Sequence, residues 1–498
     1  MDLLGNLWYG FGVAVSLENL AYCFIGVLVG TLIGVLPGIG PLATIAMLLP
    51  ITYGVPPVAA LIMLAGIYYG AQYGGSTTAI LVNLPGETSS VVTCIDGYQM
   101  ARQGRAGPAL AIAAIASFFA GTVGTLLIAL FAPPLAEFAL KFGSPEYFAL
   151  MLMGLVAAAV LTQGDIAKSL AMVTLGLLLG IVGNDIHSGI PRYVFDITEL
   201  SDGIGFIVLA VGVFAVSEII ANLGASSEPR SSVSGVTGLL PTREDARQAF
   251  APILRGTGIG AFFGVLPGTG PAVASFASYM LEKKIARDPS RFGRGAIEGV
   301  AGPEAANNAD AQCKFIPMLT LGLPVSGVMA LMLGALTMQG IQPGPEVMNQ
   351  RPDLFWGLIA SMWIGNLMLV LLNLPLIGIW VRLLTVPYRL LFPAIMAFAA
   401  IGIYSLNNSP FEIYLAAMFG IIGFILVKLG FGMAPLLLGF VLGPLMEDNL
   451  RRSMVMGRGD PSIFFTRPIS LCLLVATVLI LAIVALPAIR RRRGDVAG

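Results

Sequence analysis

Long apolar runs separated by short polar connections extend along the whole chain. A helix needs about 20 apolar residues to cross the roughly 30 Å hydrocarbon layer of a membrane. Runs that approach this length lie at 20–36, 55–72, 108–132, 143–163, 166–183, 203–223, 252–266, 316–340, 354–380, 387–406, 411–429, 432–446 and 467–489. Several are short or interrupted by Gly and Pro, so the pattern predicts an all-α polytopic membrane protein with roughly 11–14 membrane segments.

Two of these runs end in nearly the same eight residues. Residues 34–41 read GVLPGIGP and residues 264–271 read GVLPGTGP, 230 positions later (264 − 34). Proline lacks a backbone donor, and glycine weakens a helix by about 1 kcal/mol relative to alanine, so each motif predicts a broken helix. Unwound backbone inside a membrane needs partners from protein, water, an ion or a substrate. Each break is therefore a candidate ligand site.

A segment that combines small and polar residues follows each motif. Residues 68–78 read YYGAQYGGSTT and residues 301–310 read AGPEAANNAD, and a Leu-Pro pair follows each, at 84–85 and 323–324. The matching order predicts two repeats with hairpin-like segments. Small residues let backbone approach a ligand, while hydroxyls and amides can bind carboxylates without a fixed charge. Ordinary helix packing remains the alternative for any single motif, because membrane helices also use small residues at their contacts.

The repeats divide the chain into an N-terminal membrane repeat (1–224), a linker (225–249) and a C-terminal membrane repeat (250–498). The linker contains the Ser-, Gly- and Arg-rich sequence that is least typical of a membrane segment.

The distribution of Lys and Arg predicts that the two repeats have inverted topology. No Lys or Arg precedes Arg102, so the loop after the first motif, 51–57, has none. The loop after the second motif carries Lys283, Lys284, Arg287, Arg291 and Arg294. Since cytoplasmic loops are enriched in these cations, we expect the second loop in the cytoplasm and the first on the opposite side. The arginines at 490–493 likewise predict a cytoplasmic C-terminus.

Composition supports the membrane assignment and excludes other classes. Hydrophobic residues make up 57% of the chain and charged residues 11%, with no formal net charge. Charge therefore gives no reason to expect a nucleic-acid partner. The four cysteines are far apart and lack metal-ligand spacing, so we expect neither a metal site nor a disulfide framework.

The two breaks and the two polar segments supply the candidate site. Glycines permit close backbone approach, and hydroxyls and amides donate to carboxylate or coordinate a cation. The predicted substrate contacts are Gly38, Gly40, Ser76, Thr77, Thr78, Asn83, Gly268, Thr269, Gly270, Asn307, Asn308 and Lys314. The predicted contacts of a coupling ion are Gly38, Gly268, Glu304 and Asp310. Sodium binds oxygen ligands and a proton needs a titrating carboxylate; Na⁺ is expected, with H⁺ as the alternative.

Five motifs resemble those of the large membrane subunit of tripartite tricarboxylate transporters, the TctA-type family. They lie at 34–41, 68–78, 96–107 (DGYQMARQGRAG), 303–309 and 340–345 (GIQPGP), so the likeness covers nearly the whole chain. The resemblance implies a secondary carrier of the bacterial inner membrane that takes up carboxylates with a cation gradient. It also implies two partners, a small TctB-type membrane subunit and a periplasmic TctC-type solute-binding protein.

One stretch departs from the family pattern. Where relatives have small residues after the Asn-Asn pair, this chain has Asp310, Gln312, Cys313 and Lys314. A lysine in an apolar helix costs about 2.5–3.5 kcal/mol on insertion scales unless it pairs, and Asp310 lies on the same helical face. Lys314 is thus either half of a structural pair with Asp310 or a contact for the substrate.

Two other functions remain to be compared with a carrier. The sequence has one histidine and none of the H-E-x-x-H, G-x-S-x-G or phosphate-loop motifs of enzymes, so we expect no enzyme, no catalytic residues and no cofactor. A channel-like anion permease is the closer alternative, because broken helices also line pores. Whether a carrier would move by rocking or as an elevator stays open, with paired hairpin-like segments favouring the elevator.

Overall fold

The computed structural model describes residues 3–36, 40–161, 165–185, 187–223, 238–383 and 391–496. In the first half the helices are Leu3–Ala14 (α1), Leu17–Val35 (α2), Pro41–Thr52 (α3), Pro57–Val82 (α4), Val91–Arg102 (α5), Ala106–Ala139 (α6), Ser144–Leu161 (α7), Ile166–Gly180 (α8), Phe206–Ala210 (α9) and Ser217–Leu223 (α10). A π-helical turn, Val211–Val216, joins the last two, and short 3₁₀ turns lie at Thr88–Ser90 and Thr198–Leu200. Two-residue strands, Gly183–Asn184 (β1) and Pro191–Arg192 (β2), pair antiparallel.

The second half continues the helical pattern. Its helices are Arg243–Gly264 (α11), Pro271–Ile285 (α12), Glu298–Cys313 (α13), Phe315–Leu321 (α14), Gly327–Met338 (α15), Val347–Gln350 (α16), Pro352–Asn373 (α17), Ile377–Leu383 (α18), Leu391–Asn407 (α19), Pro410–Lys428 (α20), Met433–Met456 (α21), Ile463–Thr466 (α22) and Pro468–Val496 (α23), with a 3₁₀ turn at Pro289–Arg291.

The helices have the length and composition of membrane segments. Among the described residues, α2, α6, α17 and α20 are long and apolar enough to cross a membrane, and six shorter apolar helices accompany them. Large apolar side chains on their outer faces are exposed, for example Phe131 on α6 and Ile421 on α20, as expected of surfaces that contact lipid. The prediction of an all-α polytopic membrane protein is confirmed.

Both Pro-Gly motifs interrupt the helix in which they occur, as predicted. The first break separates α2, which ends at Val35, from α3, which begins at Pro41. The second separates α11 from α12, which begins at Pro271. In each case an extended glycine precedes a proline at the first helical position, where proline's missing N–H costs nothing. Gly38 lies outside the described residues.

The helix before each break packs tightly on the next helix but one, α2 on α4 and α11 on α13. A Cβ added at Gly26, Gly30 or Gly34 of α2 would lie 2.3–2.5 Å from a backbone carbonyl oxygen of α4. At the corresponding positions of α11, Gly256, Gly260 and Gly264, the distances to carbonyl oxygens of α13 are 2.1–2.7 Å. Such small-residue ladders let membrane helices approach closely. The same packing therefore occurs in both halves, with the glycines 230 positions apart (256 − 26).

The polar segments themselves do not unwind, which corrects the expectation of hairpins at 68–78 and 301–310. Both lie inside continuous helices, α4 and α13. Gly70 and Gly74 of α4 contact backbone atoms of α2 instead, so this helix uses its glycines for packing. Unwinding comes later, before each Leu-Pro pair, where Asn83 (φ 57°) and Gly322 (φ 65°) are left-handed. These two residues are 239 positions apart (322 − 83), as are the Leu-Pro pairs.

Each broken helix also contacts the other half. Helix α3, after the first break, packs on α15, which follows the second Leu-Pro pair. Helix α12, after the second break, packs on the Thr88–Ser90 turn and on α5, which follow the first pair. In each half, the helix after the break therefore packs on the segment that follows the Leu-Pro pair of the other half. The opposite orientation of the repeats in a membrane stays a prediction.

Two features of the chain lie outside the predicted pattern. Helix α1 was not predicted, because its 12 residues are too few to span a membrane; it packs on α17. Of the predicted linker, 225–237 lie outside the described residues. Residues 243–249 already belong to α11, which Thr242 caps by accepting from Asp245 N at 3.1 Å. The domain boundaries stay a prediction.

Candidate functional site

A buried carboxylate on α13 connects three helices of the first half to the second. Glu304 is fully buried, and its Oε2 accepts from Ser76 Oγ on α4 at 2.6 Å. Ser117 Oγ on α6 donates to the same oxygen at 3.4 Å, and Thr93 Oγ1 on α5 donates to Oε1. Asn308 Nδ2, one turn further along α13, donates to Ser117 Oγ at 2.8 Å. Since ion ligands in proteins are mostly such oxygens, this cluster has the chemistry of a small cation or proton site.

A second carboxylate lies after the first Leu-Pro pair. Glu87 Oε2 accepts from Gln72 Nε2 at 2.9 Å, and its Oε1 accepts from Ser89 Oγ at 2.8 Å. Glu87 is close enough to interact electrostatically with Glu304 and with Lys314. The carboxylates of the two halves therefore lie in one region, next to the irregular segments.

Lys314 and Asp310 form an ion pair in which both side chains are fully buried. This is the structural pair that was one of the two alternatives. Asp310 Oδ1 nevertheless has no hydrogen-bond partner among the described residues. The pair thus neutralises the lysine and leaves one carboxylate oxygen available to a further group.

Asn307 and Gln312 on α13 are the least satisfied residues of the region. Each is 1% exposed, yet neither the side-chain oxygen nor the side-chain nitrogen of either amide has a hydrogen-bond partner in the described part of the chain. A buried polar group without a partner costs about 1–3 kcal/mol. An amide with both atoms unpaired is therefore a strong indication of a missing ligand.

A small cavity lies against the Glu304 cluster. Its polar lining comes from Tyr73, Ser76, Thr77, Ser117 and Asn373, and alanines and Leu110 of α6 complete it. Asn373 is 5% exposed, and its Oδ1 has no partner among the described residues. The cavity is therefore lined by two of the hydroxyls that bond Glu304, and Thr77 belongs to it.

Several predicted contacts instead hold the ends of helices. Thr78 Oγ1 donates to Val35 O, the last residue of α2, at 2.8 Å. Thr269 Oγ1 donates to Phe263 O at 2.6 Å and to Leu266 O at 2.8 Å. Carbonyls at a helix end need such donors. Asn83 has an exposed side chain and supplies the left-handed residue that ends α4.

The backbone donors of the two breaks have different partners. Gly268 N–H donates to Val325 O at 3.0 Å, so the second break bonds to the second Leu-Pro segment. Gly40 N–H donates to Glu218 Oε1 of α10 at 3.2 Å. Gly270, like Gly40, is the extended residue before a helix, and a Cβ added at either would meet no atom within 4 Å. Both positions are open enough to admit a ligand.

A larger cleft of about 470 Å³ lies elsewhere, between the β1–β2 loop and the end of α21. Three of its charged residues, Asp185, Arg192 and Glu447, take part in ion pairs. Arg192 bonds Glu447 at 2.7 Å, and Arg451 bonds Asp185 at 3.0 Å. A hydrogen bond from Ser188 Oγ is the main reason that the pKa of Asp185 is lowered to about 2. No residue predicted as a contact lies in this cleft.

Sequence analysis missed Thr93, Ser117, Glu218 and Asn373. Thr93, Ser117 and Asn373 lie outside the two breaks and the two polar segments from which the candidate site was drawn, so their convergence depends on tertiary packing. Glu218 carried a signal that was overlooked, because it is the only ionisable residue of the apolar run 206–223, and ionisable residues in membrane segments are usually functional.

Comparison with known proteins defines the family. The profile of the tripartite tricarboxylate transporter TctA family matches residues 20–438. The chain belongs to this family. It is therefore a multi-pass membrane subunit of a transporter and not an enzyme, and TctA proteins work in transporters of three parts. The Glu304 cluster and both breaks lie within the matched residues.

Two similar proteins come from Agrobacterium vitis. The "uncharacterized 52.8 kDa protein in TAR-I ttuC' 3'region" is 60% identical over 496 residues, which cover 100% of this chain and 99% of the relative. The "uncharacterized protein in TAR-II ttuC' 3'region" is 58% identical over 237 residues, 48% of this chain and 98% of the relative. No solved structure matches the chain significantly.

Proposed function

We propose that this TctA protein is the carrier of a cation-coupled system that imports di- or tricarboxylates across the bacterial inner membrane by alternating access. A periplasmic TctC-type solute-binding protein delivers the substrate, and a small TctB-type membrane subunit completes the complex. The C-terminus lies in the cytoplasm. The observation that carries this proposal is the buried, unpaired amide of Asn307 on α13, the helix on which the helix before the second break packs.

The substrate anion lies between the two breaks in this proposal. Asn307 Nδ2 donates to a carboxylate, and the unobstructed glycines at 40 and 270 let it approach the backbone, whereas the predicted contact Gly268 is crowded by Ala158 and already donates its N–H to Val325 O. Asn308, Ser76 and Thr77 form the surrounding polar shell, whereas Thr78, Thr269 and Asn83 hold or end helices. Amide and backbone donors suit an anion that must also leave, because they add no fixed positive charge. Lys314 is the remaining predicted contact, and its charge is paired with that of Asp310.

The coupling ion binds at the Glu304 cluster. One carboxylate and hydroxyl oxygens from three helices give Na⁺ the ligands that it prefers. Asp310 Oδ1, which has no partner, is the second candidate ligand, and backbone oxygens at Gly38 and Gly268 are further candidates. H⁺ is the alternative, with Glu304 as the protonated group.

Uptake of labelled di- and tricarboxylates by the reconstituted three-part system tests the function. Sodium and proton gradients are imposed separately, and we expect saturable uptake and counterflow that the sodium gradient drives. Conduction without saturation would show a channel, and no uptake of any carboxylate would contradict the proposal.

Replacement of Asn307 tests the site. We expect Asn307→Leu to abolish uptake at a normal membrane level, because leucine cannot donate to a carboxylate. Asn349→Leu is the matched control, since Asn349 is exposed on the short helix α16. Equal uptake by Asn307→Leu and wild type would remove this residue from the site.

A further inference from the structure

The first break is held by a side chain from α10, a helix that belongs to neither of the packed pairs α2–α4 and α11–α13. Gly40 precedes the 12-residue helix α3 and is not capped by a side chain of its own. Pro41, the next residue, has no N–H. Glu218 of α10 accepts the Gly40 N–H at 3.2 Å, from 178 positions away in the sequence. A carboxylate therefore satisfies the backbone donor at which α3 begins.

The segment that carries Glu218 is irregular just before it. The π-helical turn Val211–Val216 ends next to Ser217, and Ser217 Oγ donates back to Val213 O within that turn. Single π turns inside helices are often found at functional sites. The turn packs directly on α3 and on α20, so a change in this segment would reach the first break.

No Lys, Arg or His side chain among the described residues forms a salt bridge with Glu218. The salt bridges of the described residues all involve other carboxylates. Helix α3 carries no ionisable residue. Helix α20, which packs on α10, has Glu412 and Lys428 near its two ends, and Glu412 accepts from Asn407 Nδ2 at 2.6 Å. The negative charge of Glu218 is thus opposed mainly by the peptide dipoles at the start of α3.

The second break has no such carboxylate. Gly268 N–H bonds a backbone oxygen, and no acidic side chain in the described ranges hydrogen-bonds an N–H of residues 268–270. A side chain can leave its partner by rotating about its own bonds, whereas a backbone oxygen moves only with its segment. The two breaks are therefore held differently, and only the first is held by a removable charge.

We propose that Glu218 is a positioning residue for transport: it fixes the start of α3 and places a negative charge beside the first break, where it opposes the substrate carboxylate. The role of the charge rests on the proposed function, because it requires an anion at the breaks. Substrate binding and Glu218 then compete electrostatically, which weakens binding enough for release. When the anion is present, Glu218 leaves Gly40 N–H and frees α3 to move.

Amide hydrogen exchange of the purified protein tests the positioning role without substrate. Glu218→Ala removes the acceptor of Gly40 N–H, so exchange at residues 40–44 should be about tenfold faster than in wild type, as the loss of one hydrogen bond predicts. Glu137→Ala, at an exposed position of α6, should leave these residues unchanged. Unchanged exchange in Glu218→Ala would overturn the proposal.

Ligand binding tests whether the negative charge of Glu218 weakens carboxylate binding. Glu218→Gln keeps an oxygen acceptor for Gly40 N–H and removes the negative charge. The carboxylate concentration that gives half-maximal thermal stabilisation should fall at least fivefold, which is the change expected for a like charge about 17 Å away at an effective dielectric of about 20, and it should fall further if the anion lies closer. Succinate, tartrate and citrate serve as probes, and Glu137→Gln is the control.

The outcomes separate the two proposals. A purely structural Glu218 would leave the half-maximal concentration in Glu218→Gln equal to that of wild type, or raise it, and either result would overturn the role of the charge. If no carboxylate stabilised wild type or variant, the proposed function would fail. Hydrogen exchange would then still decide whether Glu218 positions α3.

Discussion

At the scale of single residues, the site combines groups that the sequence identified with groups that only the fold brings near. Glu304, Ser76 and Asn308 lie in motifs that could be recognised from residue type and repeat position. Thr93 and Ser117 complete the Glu304 cluster from α5 and α6, and an isolated Thr or Ser in an apolar helix gives no sign of such a role. The types of residue in the site could therefore be predicted from the sequence, but the full set of hydrogen-bond partners of Glu304 could not.

The buried pair of Lys314 and Asp310 gives a prediction at this scale. Lys314→Met should leave Asp310 buried and unpaired, which costs about 3–5 kcal/mol, so thermal unfolding should occur at a clearly lower temperature. Lys314→Met combined with Asp310→Leu removes both charges and should recover most of the stability. Thermal unfolding in detergent measures both effects.

Uptake by the double variant then decides between the two alternatives for Lys314. A structural pair predicts recovered uptake together with recovered stability. A stable double variant that transports nothing would show that Lys314 or Asp310 contacts the substrate or the coupling ion.

At the scale of helices, proline and glycine have two structural roles, helix breaking and close helix packing, that the sequence alone could not distinguish. In residues 34–41 and 264–271 they break the helix, because proline stands next to glycine and fits the first position of the next helix. In residues 68–78 the glycines leave α4 intact and bring it against α2. The difference depends on which surface faces a neighbouring helix, which is a property of the folded molecule.

The glycine ladder of α11 predicts a sharp contrast between neighbouring positions. A Cβ at Gly260 would lie 2.1 Å from Ala306 O, whereas a Cβ at Gly258 meets no atom within 4 Å. Gly260→Ala should force α11 and α13 apart and destabilise the protein by about 1–3 kcal/mol. Gly258→Ala should be neutral or slightly stabilising.

Thermal unfolding and the yield of folded protein in membranes measure this contrast. Equal stability of the two variants would contradict the close contact between α11 and α13 at this point.

At the scale of the whole molecule, the two halves share a plan and exchange contacts at their breaks. Breaks, glycine ladders and left-handed residues before Leu-Pro recur at matching positions. The repeat was visible in the sequence because its motifs are long and occur in the same order. The exchange of α3 and α12 between halves was not visible, since it depends on how the halves pack together.

Opposite insertion of the halves predicts the sides on which two loops lie. Single cysteines replace Tyr53, after the first break, and Arg287, after the second, in a chain without its four native cysteines. Both positions are exposed. A membrane-impermeant thiol reagent added to intact cells should label Tyr53→Cys, and should label Arg287→Cys only after the membrane is opened. Labelling of both from the same side would contradict the inverted arrangement.

The central claim is that the breaks form a substrate site inside the protein. A cysteine at Gly270 tests it most directly, because its Cβ would meet no atom within 4 Å. In the chain without native cysteines, reconstituted in vesicles, the rate of Gly270→Cys modification by a small thiol reagent is measured with and without a transported carboxylate. Gly258→Cys, which is also unobstructed, is the control.

Saturating carboxylate should slow the modification of the cysteine at Gly270 about tenfold or more, as occlusion by a bound ligand requires. The rate at Gly258 should not change. Equal rates at Gly270 with and without carboxylate would contradict the central claim.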